Sequence, residues 1–308
     1  MEAMPVRLRA ILEAMPVRRR LWLSGPALAQ TAWVIVAVAG LSTFGDALDA
    51  HPDVRTAAGV ALAAAWFAGL LALVVPRPVT LVVARTIVPA GLVLAVVAIT
   101  DRDAFGALDG VTVTAAAIAA LAVLTPATGE WFVDGVSYGD ERRFLLRPPA
   151  PVLVFAVVPL WAVTTGGVVV GVLAAASGHR LLAIGSALAA AVGGVIALPA
   201  FWRLSRRWIV LVPAGLVVHD AAALTDPVLF PRDRIELFGP APADTTALDL
   251  TLGALGLALE LRLREPVELP VVTGRGRHED RTVRAVLVAA SRPGDLVREA
   301  ARRRIPVG

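Results

Sequence analysis

At 308 residues, 57% of them hydrophobic, and with a mean hydropathy of +0.74, the chain is far more apolar than a soluble domain of ordinary composition, and the excess lies before Arg203. Net charge is only +4 although the pI is near 10.9, and the arginines are spread as a topology signal requires rather than clustered for phosphate, so no nucleic-acid partner is expected. There is no cysteine, which excludes disulfides and thiolate chemistry. Lys and Asn are also absent and Gln occurs once, at Gln30; this bias fits very GC-rich codons and points to a high-GC, actinobacterial-type bacterium.

Residues 1–23 form a basic N-terminal segment with a near-repeat, EAMPVRLR at Glu2 to Arg9 and EAMPVRRR at Glu13 to Arg20. It reads either as a basic amphipathic segment on a membrane surface or as a small duplication, with Met15 rather than Met1 as a candidate start. No small-residue cleavage site follows the first apolar run, which therefore reads as a signal anchor.

Residues 24–203 hold six apolar segments of about the ~20 residues that cross a bilayer core. They lie near Gly25 to Gly45, Thr56 to Val75, Pro78 to Thr100, Phe105 to Pro126, Pro149 to Ala176 and Arg180 to Trp202. One side of this array carries Arg7, Arg9, Arg18, Arg19, Arg20, Arg77, Arg142, Arg143, Arg147, Arg203, Arg206 and Arg207; the other has Arg55, Arg102 and Arg180. Such asymmetry predicts that both termini are cytoplasmic. The loop 129–148 then lies on the cytoplasmic side. Within it, Phe132 to Ser137 and Arg142 to Leu146 read as short strands around a turn, either docking on the C-terminal domain or remaining a disordered basic loop.

At Arg203 the pattern changes. Each of Arg203, Arg206 and Arg207 would cost about 2.5 to 3.5 kcal/mol at a helix centre, so the last span must leave the bilayer there, with Trp202 and Trp208 at headgroup depth. Residues 204–308 alternate as strands do. Leu248, Leu250 and Leu252, then Leu255, Leu257, Leu259, Leu261 and Leu263, predict two strands with one apolar face, joined in a hairpin at Gly253-Ala254. Further strands are expected at Ile209 to Val212, Leu216 to Val218, Val228 to Phe230, Arg234 to Phe238, Val267 to Val272 and Val283 to Val288. Thr273 to Asp280 reads as a charged loop, and Ser291 to Arg304 as a closing helix.

The return strand Gly215-Leu216-Val217-Val218 after Ile209 to Val212, the segment Leu229 to Ile235 and the Leu259 to Pro270 hairpin resemble the bacterial PH-like domains of small membrane proteins, over roughly the last third of the chain. The resemblance implies a mainly-β, seven-stranded sandwich or open barrel capped by a helix, typically a binding or assembly module. Phosphoinositide binding does not carry over, because no lysine-rich first loop is present.

Candidate functional residues are few. Arg85 is the ionisable residue well inside a span, and marks either a polar intramembrane site or a side chain snorkelling to the interface. Arg203, Arg206, Arg207, Arg302, Arg303 and Arg304 are candidate lipid-surface contacts. Gly167, Gly171, Gly185 and Gly193 lie at helix-packing spacing. Asp109 reads as interfacial. His51, His179, His219 and His278 form no ligand set, and no phosphate cradle, nucleophile elbow or paired carboxylate occurs, so no catalytic, cofactor or metal site is expected. These features predict a multi-pass protein of the bacterial plasma membrane acting as a scaffold, accessory or sensor, its partners being membrane lipids and a protein bound through residues 207–308. A transporter or transporter subunit with a site near Arg85 is the alternative, and a membrane-embedded enzyme the third reading.

Overall fold

The computed structural model describes residues 22–49, 52–100, 104–274 and 277–308. Residues 1–21 of the basic N-terminal segment, which include its repeat, and His51, Asp101, Arg102 and Asp103 lie outside the described residues. The chain divides into two compact units, Met1–Gly135 and Val136–Gly308. Among the described residues, six helices are long and apolar enough to cross a membrane, the pattern of a multi-pass membrane protein.

The first unit contains four of them: α1 (Pro26–Asp49), α2 (Pro52–Val74), α3 (Pro78–Thr100) and α4 (Ala107–Leu124). The first runs four residues past its expected end. The second starts four residues early, because Pro52 suits a first helical position and Asp53 complements the helix dipole. Their mutual contacts are cemented by side chains satisfying backbone groups across helices. Trp33 Nε1 donates to the Trp66 carbonyl and Trp66 Nε1 to the Trp33 carbonyl, each at 3.0 Å. Gln30 donates to the Leu73 carbonyl at 2.8 Å, and the Thr43 and Thr112 hydroxyls meet at 3.1 Å in the interior. Large apolar side chains such as Leu41 and Leu121 point outward, as lipid-facing residues do.

A short helix, α5 (Pro126–Asp134), follows, so the strand expected at Phe132 to Ser137 does not form. The local reason is a capping signal. The Thr125 hydroxyl accepts from the Thr128 N–H at 3.3 Å, and Pro126 occupies the first turn. Asp109, expected at an interface, is buried; its carboxylate accepts from the Gly106 N–H at 2.8 Å and caps α4.

The second unit begins with β1 (Arg142–Leu145), the half of the expected loop hairpin that does form. Helix α6 then starts at Ala150–Val152, passes through a π-helical turn at Leu153–Val157 and continues over Val158–Ala176. Pro159 has no N–H and its ring crowds the preceding turn, which the wider turn accommodates. Helix α7 (Arg180–Ser205) returns against α6 and leads directly into β2 (Arg207–Val212).

The strands that follow are β3 (Gly215–Asp220), β4 (Val228–Pro231), β5 (Ile235–Pro240), β6 (Leu248–Asp249), β7 (Leu259–Gly274) and β8 (Arg277–Val288), closed by helix α8 (Pro293–Arg302). They form two four-stranded sheets, ordered β1-β2-β3-β4 and β5-β7-β8-β6. The chain thus carries six long apolar helices followed by a region of two four-stranded sheets and a C-terminal helix. Between the sheets lies one core containing Phe144, Ile209, Leu211, Phe230, Phe238 and Leu261, to which α8 and the turn after it add Leu296, Ala300 and Ile305.

Three details differ from the strand pattern. Leu259 to Pro270 is not a hairpin but part of one long strand that pairs with β5 on one side and β8 on the other; its register with β8 shifts between Arg262 and Val267, where Pro266 cannot donate to the ladder. Arg277 to Asp280 extends β8 instead of lying in a charged loop. The expected Gly253-Ala254 hairpin is absent. β6 pairs in parallel with β8 instead, and Leu252, Gly253 and Gly256, with φ of 57°, 76° and 106°, lie in the loop between β6 and β7. Leu250, Leu259, Leu261 and Leu263 are core; Leu252, Leu255 and Leu257 are exposed.

Candidate functional site at the helix-to-sheet junction

A group of arginines and aromatic residues in the second unit gathers where α7 ends and the first sheet begins. Arg207, the first residue of β2, turns inward and is 1% exposed. Its Nε donates to Asp220 Oδ1 and its Nη2 to Asp220 Oδ2, both at 2.7 Å, a bidentate pair across β2 and β3. Nη1 donates to the Arg147 carbonyl at 3.0 Å, and Asp220 Oδ1 also accepts from the Ala222 N–H at 3.0 Å. The lock therefore ties β2, β3 and the segment entering α6. Arg207 is thus no lipid contact: desolvating both ions is tolerable only because the fork and its carboxylate are satisfied by each other.

On the opposite face of the same strands, the Trp208 indole stacks on His219 at 4.5 Å with 13° between the planes. His219 Nδ1 donates to the Arg206 carbonyl at 2.8 Å, and Arg143 sits 5.8 Å above the Trp208 ring. One turn back, Arg206 lies 5.4 Å from the exposed Trp202 ring. The result is a set of cation–aromatic layers at the end of a long apolar helix, suited to headgroup depth. Arg203 is exposed beside it.

The remaining candidates separate. At the end of α8, Arg302 and, just past the helix, Arg304 are exposed, but the capping residue Arg303 donates from Nε to Glu299 at 3.0 Å and from Nη1 to the Leu211 carbonyl at 3.1 Å, so it clamps the helix to the end of β2. A Cβ at Gly167 would lie 2.8 Å from the Ser186 carbonyl oxygen and one at Gly193 2.8 Å from Thr164 Oγ1, with Gly171 at 3.6 Å from Ala187 N; at Gly185 nothing comes within 4 Å. Three of the four glycines therefore sit where α6 and α7 approach, and Gly185 does not.

In the first unit, Arg85 is partly buried in α3 and its Nε donates to the Val123 carbonyl at 3.3 Å. That carbonyl belongs to the last turn of α4, which offers oxygens without intrahelical partners and the negative end of the helix dipole. An open groove between α1 and α4, about 460 Å³, is lined by Leu28, Ile35, Val111, Thr114 and Ile118 among others and is almost wholly apolar.

Sequence reasoning missed several polar groups. Asp220, at the end of an apolar strand, gave no local sign of pairing with Arg207. Glu130 and Asp134 are buried in α5; the Thr125-Pro126 capping signature could have revealed the helix that holds them. Glu260 is buried on β7, with the Thr245 hydroxyl donating to it and Arg262 bonded at 2.8 Å. Burial alone would push its carboxyl up, but the hydrogen bonds from Thr245 and Arg262 and the Arg262 charge outweigh that and hold it below its ordinary value.

Among the described residues no group of His, Asp and Glu has metal-binding geometry. Comparison of the chain with protein-family models, with characterised proteins and with solved structures gave no significant match. The junction combines a buried ionic lock with exposed guanidinium and indole surface, an arrangement for holding and docking.

Proposed function

We propose that the chain is a multi-pass protein of a bacterial plasma membrane, with both termini in the cytoplasm, that works as a scaffold, accessory or sensor by presenting a PH-like module to a partner at the inner leaflet. The observation that carries this reading is the direct splice between helices and sheet. β1 runs into α6 and α7 runs into β2, and the Arg207–Asp220 lock joins the two crossings, so that the module has no slack relative to its own helical hairpin. A rigid mount of this kind suits a module that reads or organises something close to the lipid surface. A transporter with a site at Arg85 has less behind it, since the guanidinium already serves the end of α4. In-membrane cross-linking followed by purification of the full-length chain from native membranes is expected to enrich a protein or an anionic lipid; recovery of the chain with neither counts heavily against the proposal.

A further inference from the structure

Three exposed leucines of the β region share one loop. Between Leu250, which is core, and Leu259, the first residue of β7, the chain reads Thr-Leu-Gly-Ala-Leu-Gly-Leu-Ala. Leu252, Leu255 and Leu257 are 37%, 73% and 49% exposed, and the loop contains no charged side chain. In water this is a poor surface, because it leaves large apolar side chains uncovered.

The loop is held against the start of a candidate span. The Ala150 N–H donates to the Gly253 carbonyl at 3.4 Å, and a Cβ at Gly253 would lie 3.8 Å from the Pro151 ring. Arg147 Nη1 donates to the Leu255 carbonyl at 2.6 Å. A Cβ at Gly256 would fall 1.4 Å from that Nη1, so glycine there is what lets the guanidinium lie flat on the loop. Ala150 opens the apolar helix Ala150–Ala175, whose first turns expose Val154 and Phe155. The exposed leucines are thus continuous with apolar surface at the point where the helix enters its solvent.

We propose that the loop Leu252–Leu257 is a membrane-inserting element: its leucines occupy the boundary between headgroups and acyl chains beside α6, with Arg147 at phosphate depth. It rests on the reading that Ala150–Ala175 crosses a bilayer. Several features suit it to that boundary. The Gly253 and Leu255 carbonyls are already satisfied by Ala150 and Arg147, so inserting them strips no hydrogen bond. Short apolar elements flanked by a cation bind interfaces by the same combination of buried area and attraction to anionic lipid. The β module is thereby pinned to the lipid at a point outside its own spans.

The chain has no cysteine, so single-cysteine labelling is unambiguous. Full-length protein carrying Leu255→Cys, Phe155→Cys or Asp244→Cys is labelled with a polarity-sensitive fluorophore and reconstituted in vesicles of phosphatidylcholine and phosphatidylglycerol. The label at Leu255→Cys is expected to emit further to the blue than that at Asp244→Cys, to be quenched by brominated acyl chains, and to show an iodide quenching slope several-fold lower. If Phe155→Cys is quenched by the acyl chains while Leu255→Cys is as open to iodide as Asp244→Cys, the loop proposal is wrong and the span stands. Shielding of Leu255→Cys from both quenchers would mean that protein covers the loop, which also overturns the proposal. If Phe155→Cys itself escapes acyl-chain quenching, the span reading fails and takes the loop with it.

Discussion

At the scale of single residues, two buried carboxylates hold arginines in the second unit. Removing one partner of the Arg207–Asp220 pair leaves the other charge buried, at a cost of about 3 to 5 kcal/mol, whereas replacing both by apolar residues of similar volume is often close to neutral. Arg207→Ala is therefore expected to lower the unfolding midpoint of the purified protein far more than the double variant Arg207→Met with Asp220→Leu, as read by tryptophan fluorescence during denaturant titration. Equal damage from the two would show that the pair itself, and not the orphaned charge, holds the strands. Glu260 gives a pH dependence of defined sign. Its carboxyl is held below the ordinary value of 4.5, so its contribution is fully present above that pH and is lost as pH falls through the lowered value. Stability of the wild-type protein should decline in that acid range, and Glu260→Gln should show a shallower decline between the same pH limits.

At the scale of elements, close approach decides which small residues matter. Gly167 and Gly185 look alike in the sequence, each on an apolar helix at packing spacing. Yet Gly167 faces the Ser186 carbonyl oxygen, and Gly185 faces open space. Gly167→Ala should destabilise the helical hairpin by about 1 to 3 kcal/mol through overpacking. Gly185→Ala should be neutral or stabilising by up to about 1 kcal/mol, because alanine is the better helix former. Denaturation by sodium dodecyl sulfate in mixed micelles compares the two directly, and the same sign for both would show that Gly167 does not pack as described. The spacing of these glycines was legible in the sequence, but the rotation of each helix about its axis was not. That rotation follows from the partner helix, which a local pattern does not encode. For the same reason Arg85 was recognisable as an intramembrane charge, while its acceptor at Val123 lies 38 residues away on another helix.

At the scale of the whole molecule, an even number of crossings and the arginine asymmetry together predict that both ends lie on one side of the membrane. Fusions of a cytoplasm-active fluorescent protein and a periplasm-active phosphatase to each terminus should report the same, cytoplasmic, compartment; opposite compartments would require an odd number of spans. Composition and periodicity alone determined the six long apolar helices and the change to strands after Arg203. Those features are local, since a span is a run of residues that tolerate hydrocarbon, and a strand is a run whose side chains alternate. The tertiary structure decided the rest. It placed Arg142 to Leu145 at the edge of a sheet whose other strands begin some sixty residues later, and it divided one leucine alternation between core and loop. It also turned Arg207 inward while leaving Arg203 outside. In each case the outcome rests on which distant group satisfies a hydrogen bond or covers a face, and the two-residue and three-to-four-residue periods of the chain carry direction without naming that group.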